Sequence, residues 1–328
     1  MPNPLDKLLK PRFPSTALGI DSDAASVVQL DRSRGGFVVR RAATIDLPKN
    51  LLRASFDQPN ISDREQLARA VTELVTGAGL LRQRKWSVAL PESATRSAMV
   101  TIEGTSGSRR EIEEVFEWKI ERSFGSPSSE LRVSREEMVP DAQRHTRFLV
   151  NAVRLNVLAE YEAVFTSLGW HVGLILPRHA GEEQWLRNGS HGDGLLLTAH
   201  EEGFTAVLMR GNRPLTLRSV FCDRAECDDE LHRVLLFYRD RAGAGAQDDA
   251  PPVNRLLVVG EHLDKKRVAE IAQDALGVRL NPLNAADVEG EAGLPNVTVP
   301  GPLTFVHNEE SVPPVGNPSS DTVPFRAA

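Results

Sequence analysis

The sequence contains few cysteines and no long hydrophobic run, and both shortages restrict the classes of protein that it can encode. Cys222 and Cys227 are the two cysteines, and no further cysteine or histidine stands at zinc-ligand spacing from them. We therefore expect reduced thiols rather than a disulfide framework or a zinc site. No window reaches the ~18 apolar residues of a membrane span, and the N-terminus lacks the apolar core of a signal peptide. We expect a chain that is neither exported nor membrane-spanning.

The charge balance and the missing catalytic motifs exclude further classes. Lys and Arg number 39 against 45 Asp and Glu, a net charge of −6, which gives no basic surface for wrapping nucleic acid or an anionic bilayer. The sequence contains neither H-E-x-x-H nor G-x-S-x-G, so metalloprotease and serine hydrolase chemistry have no support. We assign no catalytic residue.

One order of elements occurs twice along the chain. In the first ninety residues two short strands flank the turn DSDAA, and the stretches GFVVRRAATIDL and WSVAL predict a third and a fourth strand. A helix before the fourth strand starts with Ser62 and Glu65 in a capping-box pattern. Its predicted apolar face consists of Leu67, Val71, Leu74 and Val75.

The second occurrence begins with GLLLTA, GFTAVLM and PLTLRSV, which predict three more strands. A helix from about Asp228, the strand RLLVV and a helix capped by Asp264 follow. This repeated order predicts a duplicated α/β fold whose two halves enclose a cleft.

An inserted segment with its own predicted strands and helix lies between the two halves. From SAMVTI to TRFLVNAVR it predicts a small α+β module, whose helix has Ser108 and Glu111 as a capping box. Its predicted apolar stripe consists of Ile112, Val115, Phe116 and Ile120. Trp118 lies on another side of that helix and is a candidate contact surface.

These patterns divide the chain into five parts. We assign residues 1–92 to the first half, 93–170 to the inserted module, 171–192 to a return strand and helix, and 193–293 to the second half. Residues 294–328 form a proline-rich tail for which we predict disorder, because it lacks a helical period and has little to bury.

Five segments, taken in their order and spacing, resemble a known family over most of residues 17 to 290. They are LGIDSDAASVVQLDR, WSVALPESATRSAMVTI, EIEEVFEWKIERSFGSPSSELRVS, FLVNAVRLNVLAEYEAVFTSLGWHVGLILP and DDELHRVLLFYRD. The chain is identified as a divergent member of the PilM family of type IV pilus assembly proteins, which is similar in fold to FtsA and to the cytoplasmic part of the type II secretion L protein. The resemblance implies an actin-like α/β fold, with duplicated ribonuclease H-like βββαβα halves and an inserted α+β subdomain.

The resemblance also implies a nucleotide cleft between two hairpin tips. The positions that correspond to it here are Asp21, Ser22, Asp23 and Ser26 at the first tip, Thr198, Glu201 and Gly203 at the second, and Gly260 on the adenosine side. Asp21 would also face the magnesium ion of a bound nucleotide.

The tips depart from the pattern that phosphate binding requires. Backbone amides must approach phosphate oxygens closely, which favours glycine and small hydroxyl residues, yet Asp23 replaces a glycine and Ala24 and Ala25 replace serines. Two like charges ~4 Å apart repel by about 4 kcal/mol at an effective dielectric constant of about 20. We therefore expect a degenerate cleft without a cofactor, with Mg-ATP binding left open. An Asx-type turn at DSDAA and a solvated hairpin at HEEG are the structural alternatives.

Three functions remain open at this point. The resemblance implies a cytoplasmic scaffold of the type IV pilus inner-membrane complex, which would bind the N-terminal cytoplasmic peptide of a PilN-like single-span protein. An actin-like ATPase or small-molecule kinase using Mg-ATP and a type II secretion L-like domain are the alternatives. We expect other pilus assembly proteins as further partners and no binding of nucleic acid. We expect the chain to attach to the membrane only through its partners, and we leave open whether it forms a homodimer.

Overall fold

The strands and helices follow the predicted order in the computed structural model, which describes residues 14–33, 36–103, 108–141, 143, 145–183, 186, 192–211, 213–245, 253–260 and 262–283. The predicted tail, 294–328, lies outside the described residues. The strands are β1 Thr16–Ile20, β2 Ala24–Ser33, β3 Gly36–Asp46, β4 Lys85–Leu90, β5 Arg96–Ile102, β6 Leu131–Glu137, β7 Thr146–Arg154, β8 His171–Pro177, β9 Asp193–His200, β10 Gly203–Arg210, β11 Arg213–Phe221 and β12 Val253–Val259. The helices are α1 Arg64–Gly77, α2 Arg109–Phe124, α3 Leu155–Ser167, α4 Arg178–Glu182, α5 Cys227–Gly245 and α6 Lys265–Leu276.

The first half is a five-stranded sheet in the order β3-β2-β1-β4-β8. The first three strands form an antiparallel meander, whereas β1, β4 and β8 are parallel to one another. Helices α1 and α3 cover one face, and their apolar residues share a single buried cluster with that sheet. The rings of Trp86 and Trp170 stack in this core at a centroid distance of 4.2 Å. The predicted apolar face of α1 is confirmed, because all four of its residues are buried.

The second half repeats this arrangement with the sheet order β11-β10-β9-β12. Strand β12 is parallel to β9, as β4 is to β1, and α5 and α6 pack over a second buried cluster. A parallel bridge between Leu256 and Pro282 continues the sheet at the position that β8 holds in the first half. The predicted duplication is confirmed, and Asp264 caps α6 by accepting the Arg267 N–H at 2.8 Å.

The inserted module consists of an antiparallel sheet in the order β5-β7-β6 and the helix α2. It has its own core, to which Phe56 of the first half also belongs. Within the predicted segment 93–170, α3 differs from the other elements because its buried residues lie in the core of the first half. The capping box of Ser108 and Glu111 is present as predicted.

Two local predictions are wrong. Helix α1 is capped by Asp63, whose carboxylate accepts the Gln66 N–H at 2.9 Å, and not by Ser62. The Ser62 hydroxyl instead donates to the carbonyls of Asn50 and Leu51, which are close only in the folded chain. In α2, Val115 is 41 % exposed, because the sheet of the module covers only a narrow stripe of this helix.

Candidate functional site

The predicted residues of the first tip lie on the β1-β2 hairpin, but they do not share one surface. The Asp21 N–H donates to the Ala24 carbonyl at 2.8 Å, and its carboxylate accepts the Ser22 N–H at 2.9 Å. Asp23 is exposed at the tip. The side chain of Ser26 is buried within β2, and its hydroxyl has no hydrogen-bond partner among the described residues. Of these four residues, Asp21 is the one whose side chain reaches another element.

The second tip joins β9 to β10, and its predicted residues are likewise split between buried and exposed positions. Thr198 and His200 are buried at the end of β9, whereas Glu201 and Glu202 are exposed at the turn. The Glu202 carbonyl accepts the Cys222 N–H at 3.0 Å. The turn HEEG therefore presents its two carboxylates to solvent.

Both candidate glycines are required by the packing of the second sheet. Gly203 has a φ of 141°, and a Cβ atom added there would collide with the Val220 carbonyl oxygen on the neighbouring strand. Gly260 has a φ of 94°, and an added Cβ atom would lie 3.0 Å from Ala199. A side chain at either position would be strained and would also clash with backbone or buried atoms. The contacts around both glycines thus explain them without a phosphate.

Asp21 and Thr198 are brought to the same place by the short helix α4, which connects the two halves. The Arg178 guanidinium forms an ion pair with the Asp21 carboxylate and a second one with Glu182, at 3.3 Å. The Thr198 hydroxyl donates to the other oxygen of Glu182. Arg178 and Glu182 are both buried, so this chain of contacts lies in the interior of the cleft.

The parallel strands explain why these charges converge. Asp21 directly follows β1, Glu92 stands two residues after β4, and Arg178 directly follows β8. Because these three strands are parallel neighbours, their carboxyl ends lie at the same edge of the sheet. Residues from three distant parts of the sequence therefore meet there.

A second polar cluster surrounds Glu92. Its carboxylate accepts the His179 backbone N–H at 2.8 Å, contacts the His179 ring nitrogen Nδ1 at 2.8 Å, and accepts the Thr205 hydroxyl at 3.2 Å. Burial opposes the ionisation of Glu92, but the charge and hydrogen bonds of His179 bring its pKa down to about 2. Burial likewise opposes protonation of His179, yet Glu92 outweighs it and raises the pKa of this imidazole. The two side chains form a buried ion pair.

Burial and neighbouring charges also shift the pKa values of Arg178, Glu182 and His200. Burial works against the charge of Arg178, but Asp21 and Glu182 raise its pKa further above the ordinary range. Burial raises the pKa of Glu182, although Arg178 partly offsets this effect. Burial lowers the pKa of His200, which favours its neutral form.

Sequence patterns alone missed Arg178, Glu92 and His179, which carry most of the contacts of this site. A usable signal exists for two of them, because Glu92 and Arg178 stand within two residues of the end of a strand. Searching for charged residues directly after parallel strands, rather than for a family pattern, would have found Glu92 and Arg178. His179 has no such signal, since its role depends on where α4 turns its side chain.

The residues of the cleft do not fit the magnesium nucleotide that the resemblance implies. The carboxylate of Asp21, which would face the metal, is paired with Arg178. Two nitrogens of the Arg178 guanidinium bind carboxylates, and Glu201 and Glu202 at the exposed tip would repel a polyphosphate. Among the described residues, no three His, Cys, Asp or Glu side chains are grouped as metal ligands.

A cavity of about 440 Å³ opens beside this cluster, between the inserted module and the second half. Its inner end is lined by Glu92, His200 and Thr205, and its outer part is mostly apolar. Met99, Phe221 and Phe237, which also line it, are 39 %, 62 % and 38 % exposed.

None of the described helices is long and apolar enough to cross a membrane.

Comparison with known proteins gives matches among solved structures. No family model matches the chain, and no curated protein matches it. A chain of the PilM-PilN type IV pilus biogenesis complex matches with a TM-score of 0.69 at 20 % sequence identity, covering 90 % of this chain and 97 % of that chain. At this identity the likeness establishes the fold, which is the actin-like α/β fold predicted above.

Two further structures are less similar. The cytoplasmic domain of EpsL, an inner-membrane component of the type II secretion system of Vibrio cholerae, gives a TM-score of 0.44 at 11 % identity, covering 81 % of this chain and 96 % of that chain. A Bacteroides thetaiotaomicron protein with an actin-like ATPase fold gives 0.47 at 9 % identity, covering 84 % and 93 %. TM-scores below 0.5 support no functional inference.

Proposed function

We propose that this chain, which has the actin-like fold, is a PilM-like scaffold at the cytoplasmic side of a type IV pilus assembly complex. The observation that carries the proposal is the likeness over 90 % of the chain to a structure named as a complex of PilM with PilN. The partner would be a PilN-like single-span membrane protein, which would attach the chain to the inner membrane through its N-terminal cytoplasmic peptide. Further pilus proteins and a homodimer remain predictions.

The cavity beside the inserted module is our candidate for the peptide site. It is flanked by β5 and β11, which are both edge strands of their sheets. Edge strands have backbone groups available for an additional strand, and peptides are commonly recognised in this way. The segment after β6 already pairs with the first residues of β11, because the Val139 N–H donates to the Pro214 carbonyl at 2.9 Å.

The side chains of the cavity favour an apolar peptide with an acidic residue. Met99 and Phe221 provide exposed apolar surface at the two walls. Arg218 lies over the ring of Phe237 at 5.7 Å and has no carboxylate partner among the described ion pairs. A peptide carboxylate at this rim would meet an arginine that is already held in place by an aromatic ring.

The test is a binding titration of the N-terminal cytoplasmic peptide of a PilN-like membrane protein from the same organism. We expect Met99→Glu and Phe221→Glu to weaken binding by about tenfold or more, since each places a charge at the apolar walls. Leu81→Glu is the matched control, because Leu81 is 54 % exposed and does not line the cavity. Unchanged binding by both cavity variants would remove the cavity as the site, and loss of binding with Trp118→Ala would transfer it to α2.

The enzymatic alternative requires Mg-ATP in the cleft. We infer instead that the cleft holds no nucleotide, because the carboxylate predicted to face the metal is bound to Arg178. Calorimetric titration with Mg-ATP distinguishes the two: micromolar affinity with turnover would establish the ATPase or kinase alternative. The type II secretion alternative gains no support, because the EpsL likeness is below a TM-score of 0.5.

A further inference from the structure

The short helix α4 makes buried polar contacts with both halves of the molecule. It follows β8 of the first sheet, and its five residues lead the chain towards β9 of the second. All five are buried. In the cleft between two hairpin tips, this helix thus presents side chains to both halves.

The contacts of α4 with the first half are ionic. Arg178 pairs with Asp21 of the β1-β2 hairpin, and His179 pairs with Glu92, which follows β4. Arg178, His179 and Glu92 are almost completely buried, whereas the Asp21 side chain is 26 % exposed. Such pairs persist in a protein interior only when each charge keeps its partner.

The second half donates hydrogen bonds to two carboxylates, that of Glu182 on α4 and that of Glu92 in the first half. Thr198 of β9 donates its hydroxyl to Glu182, and Thr205 of β10 donates to Glu92. Each carboxylate therefore binds a cation on one side and a threonine of the opposite half on the other. Separating the halves would remove a donor from two buried carboxylates, which is unfavourable unless water replaces it.

From these contacts we propose that Arg178 takes the place of a divalent cation in the cleft, and that α4 latches the two halves together without a nucleotide. The guanidinium supplies Asp21 with the positive charge that a bound metal would otherwise provide. Thr198 and Thr205 supply the bonds between the halves that a bridging phosphate would otherwise provide. The closed arrangement of the halves is then a permanent property of the chain and not a response to ATP.

The latch needs no partner, so it is tested on the full chain alone by hydrogen exchange of backbone amides. The variant Thr198→Val/Thr205→Val removes both hydroxyls while nearly keeping side-chain shape. Thr72→Val is the matched control, because the Thr72 hydroxyl is also half-buried but bonds only the Ala68 carbonyl within α1. Each protein is measured with and without millimolar Mg-ATP.

We expect amides of the two hairpins, at residues 20–24 and 200–204, to exchange about tenfold faster in the double variant, because it removes the bonds to Glu182 and Glu92 together with the Thr205-Ser219 hydroxyl contact at 3.1 Å. The control should match the wild type there, and Mg-ATP should change no hairpin amide in the wild type. Should the double variant fail to fold, Thr205→Val alone should accelerate exchange about threefold, because it leaves the Thr198 bond in place.

Two results would overturn the latch. One is a wild-type hairpin whose exchange is slowed by Mg-ATP, since a nucleotide would then occupy the cleft. The other is an unchanged exchange rate in a folded double variant. Because no peptide is present, failure of the partner proposal would leave these results unaffected, and failure of the latch would leave peptide binding unaffected.

Discussion

At the scale of single residues, several positions that the family resemblance assigns to nucleotide binding have structural contacts within this protein. The resemblance implies that Gly203 and Gly260 belong to a nucleotide cleft. In this chain both are packed against β-strand atoms, at Val220 and Ala199. Asp21 likewise stands where the resemblance implies a carboxylate facing a metal, but it forms an ion pair with Arg178. Residue identity at these positions is set by neighbours within the protein.

Replacing Gly203 by alanine should therefore destabilise the fold. The new Cβ atom would meet the Val220 carbonyl oxygen, and the φ of 141° is unfavourable for any other residue. We expect the free energy of unfolding in urea to fall by about 3 kcal/mol, the sum of backbone strain and overpacking.

Gly125→Ala is the matched control for this substitution. Gly125 also has a positive φ, 65°, but an added Cβ atom would meet nothing within 4 Å. Its loss should cost only about 1 kcal/mol. A Gly203→Ala protein as stable as this control would show that the glycine is not required by packing.

At the scale of secondary structure elements, the site depends on strand ends and on one short helix. Strands β1, β4 and β8 are parallel, so Asp21, Glu92 and Arg178 come together at one edge. Helix α4 then places His179 against Glu92. The consequence is a buried ion pair whose strength depends on pH.

The His179-Glu92 pair should contribute most to stability between about pH 4.5 and pH 6.5. The folded pKa of His179 is raised, so its contribution is complete below the unfolded value of 6.5 and is lost as pH rises through the folded value. The folded pKa of Glu92 is about 2, so its contribution is complete above 4.5 and is lost as pH falls towards 2. Urea unfolding of wild type and His179→Gln at several pH values measures the difference.

We expect that difference to be largest near pH 5.5 and to decrease towards pH 9. Glu182, Glu183 and His200 also face this pair, but they are common to both proteins. His232→Gln serves as the control, because the His232-Asp274 pair is exposed and should contribute at most about 1 kcal/mol at any pH. A pH-independent difference for His179→Gln would contradict the buried ion pair.

At the scale of the whole molecule, the chain consists of two sheets with separate cores and a module that depends on the first. Phe56 precedes α1 in the first half, yet its ring lies in the core of the module, 6.3 Å from the ring of Phe124. Arg96 lies over the same ring at 4.6 Å and Arg154 at 5.6 Å. The inserted module is therefore completed by a residue from outside it.

Phe56→Ala should destabilise the module selectively. Removing a fully buried ring typically costs about 4 kcal/mol. Hydrogen exchange should become faster in β5, β6 and β7 and change less in β9, β10 and β12, which share a buried cluster with Leu149 of β7 but none with Phe56.

Leu81→Ala is the control for that experiment, because an exposed side chain should change stability by about 0.5 kcal/mol or less. Equal acceleration in all three sheets would mean that the module and the two halves unfold as one unit.

The order of elements could be predicted from the sequence because its signals are local. Apolar residues at helical spacing defined the buried face of α1, and the repeated order of strands and helices defined the duplication. The N-terminus of α1 is a local signal that fits two structures. Ser62 and Asp63 are both good capping residues, and only contacts with Asn50 and Leu51 assign Ser62 to another role.

By itself, then, the sequence determined the duplicated α/β architecture, the inserted module and the position of the two hairpin tips. Tertiary structure alone decided what the tips contact. Asp21 and Arg178 are 157 positions apart, and Glu92 and Thr205 are 113 apart. Hydrophobic periodicity specifies which face of an element is buried, but it carries no information about which strand ends become neighbours. The pairing of charges in the cleft follows from that neighbourhood, and so it appears only in the folded chain.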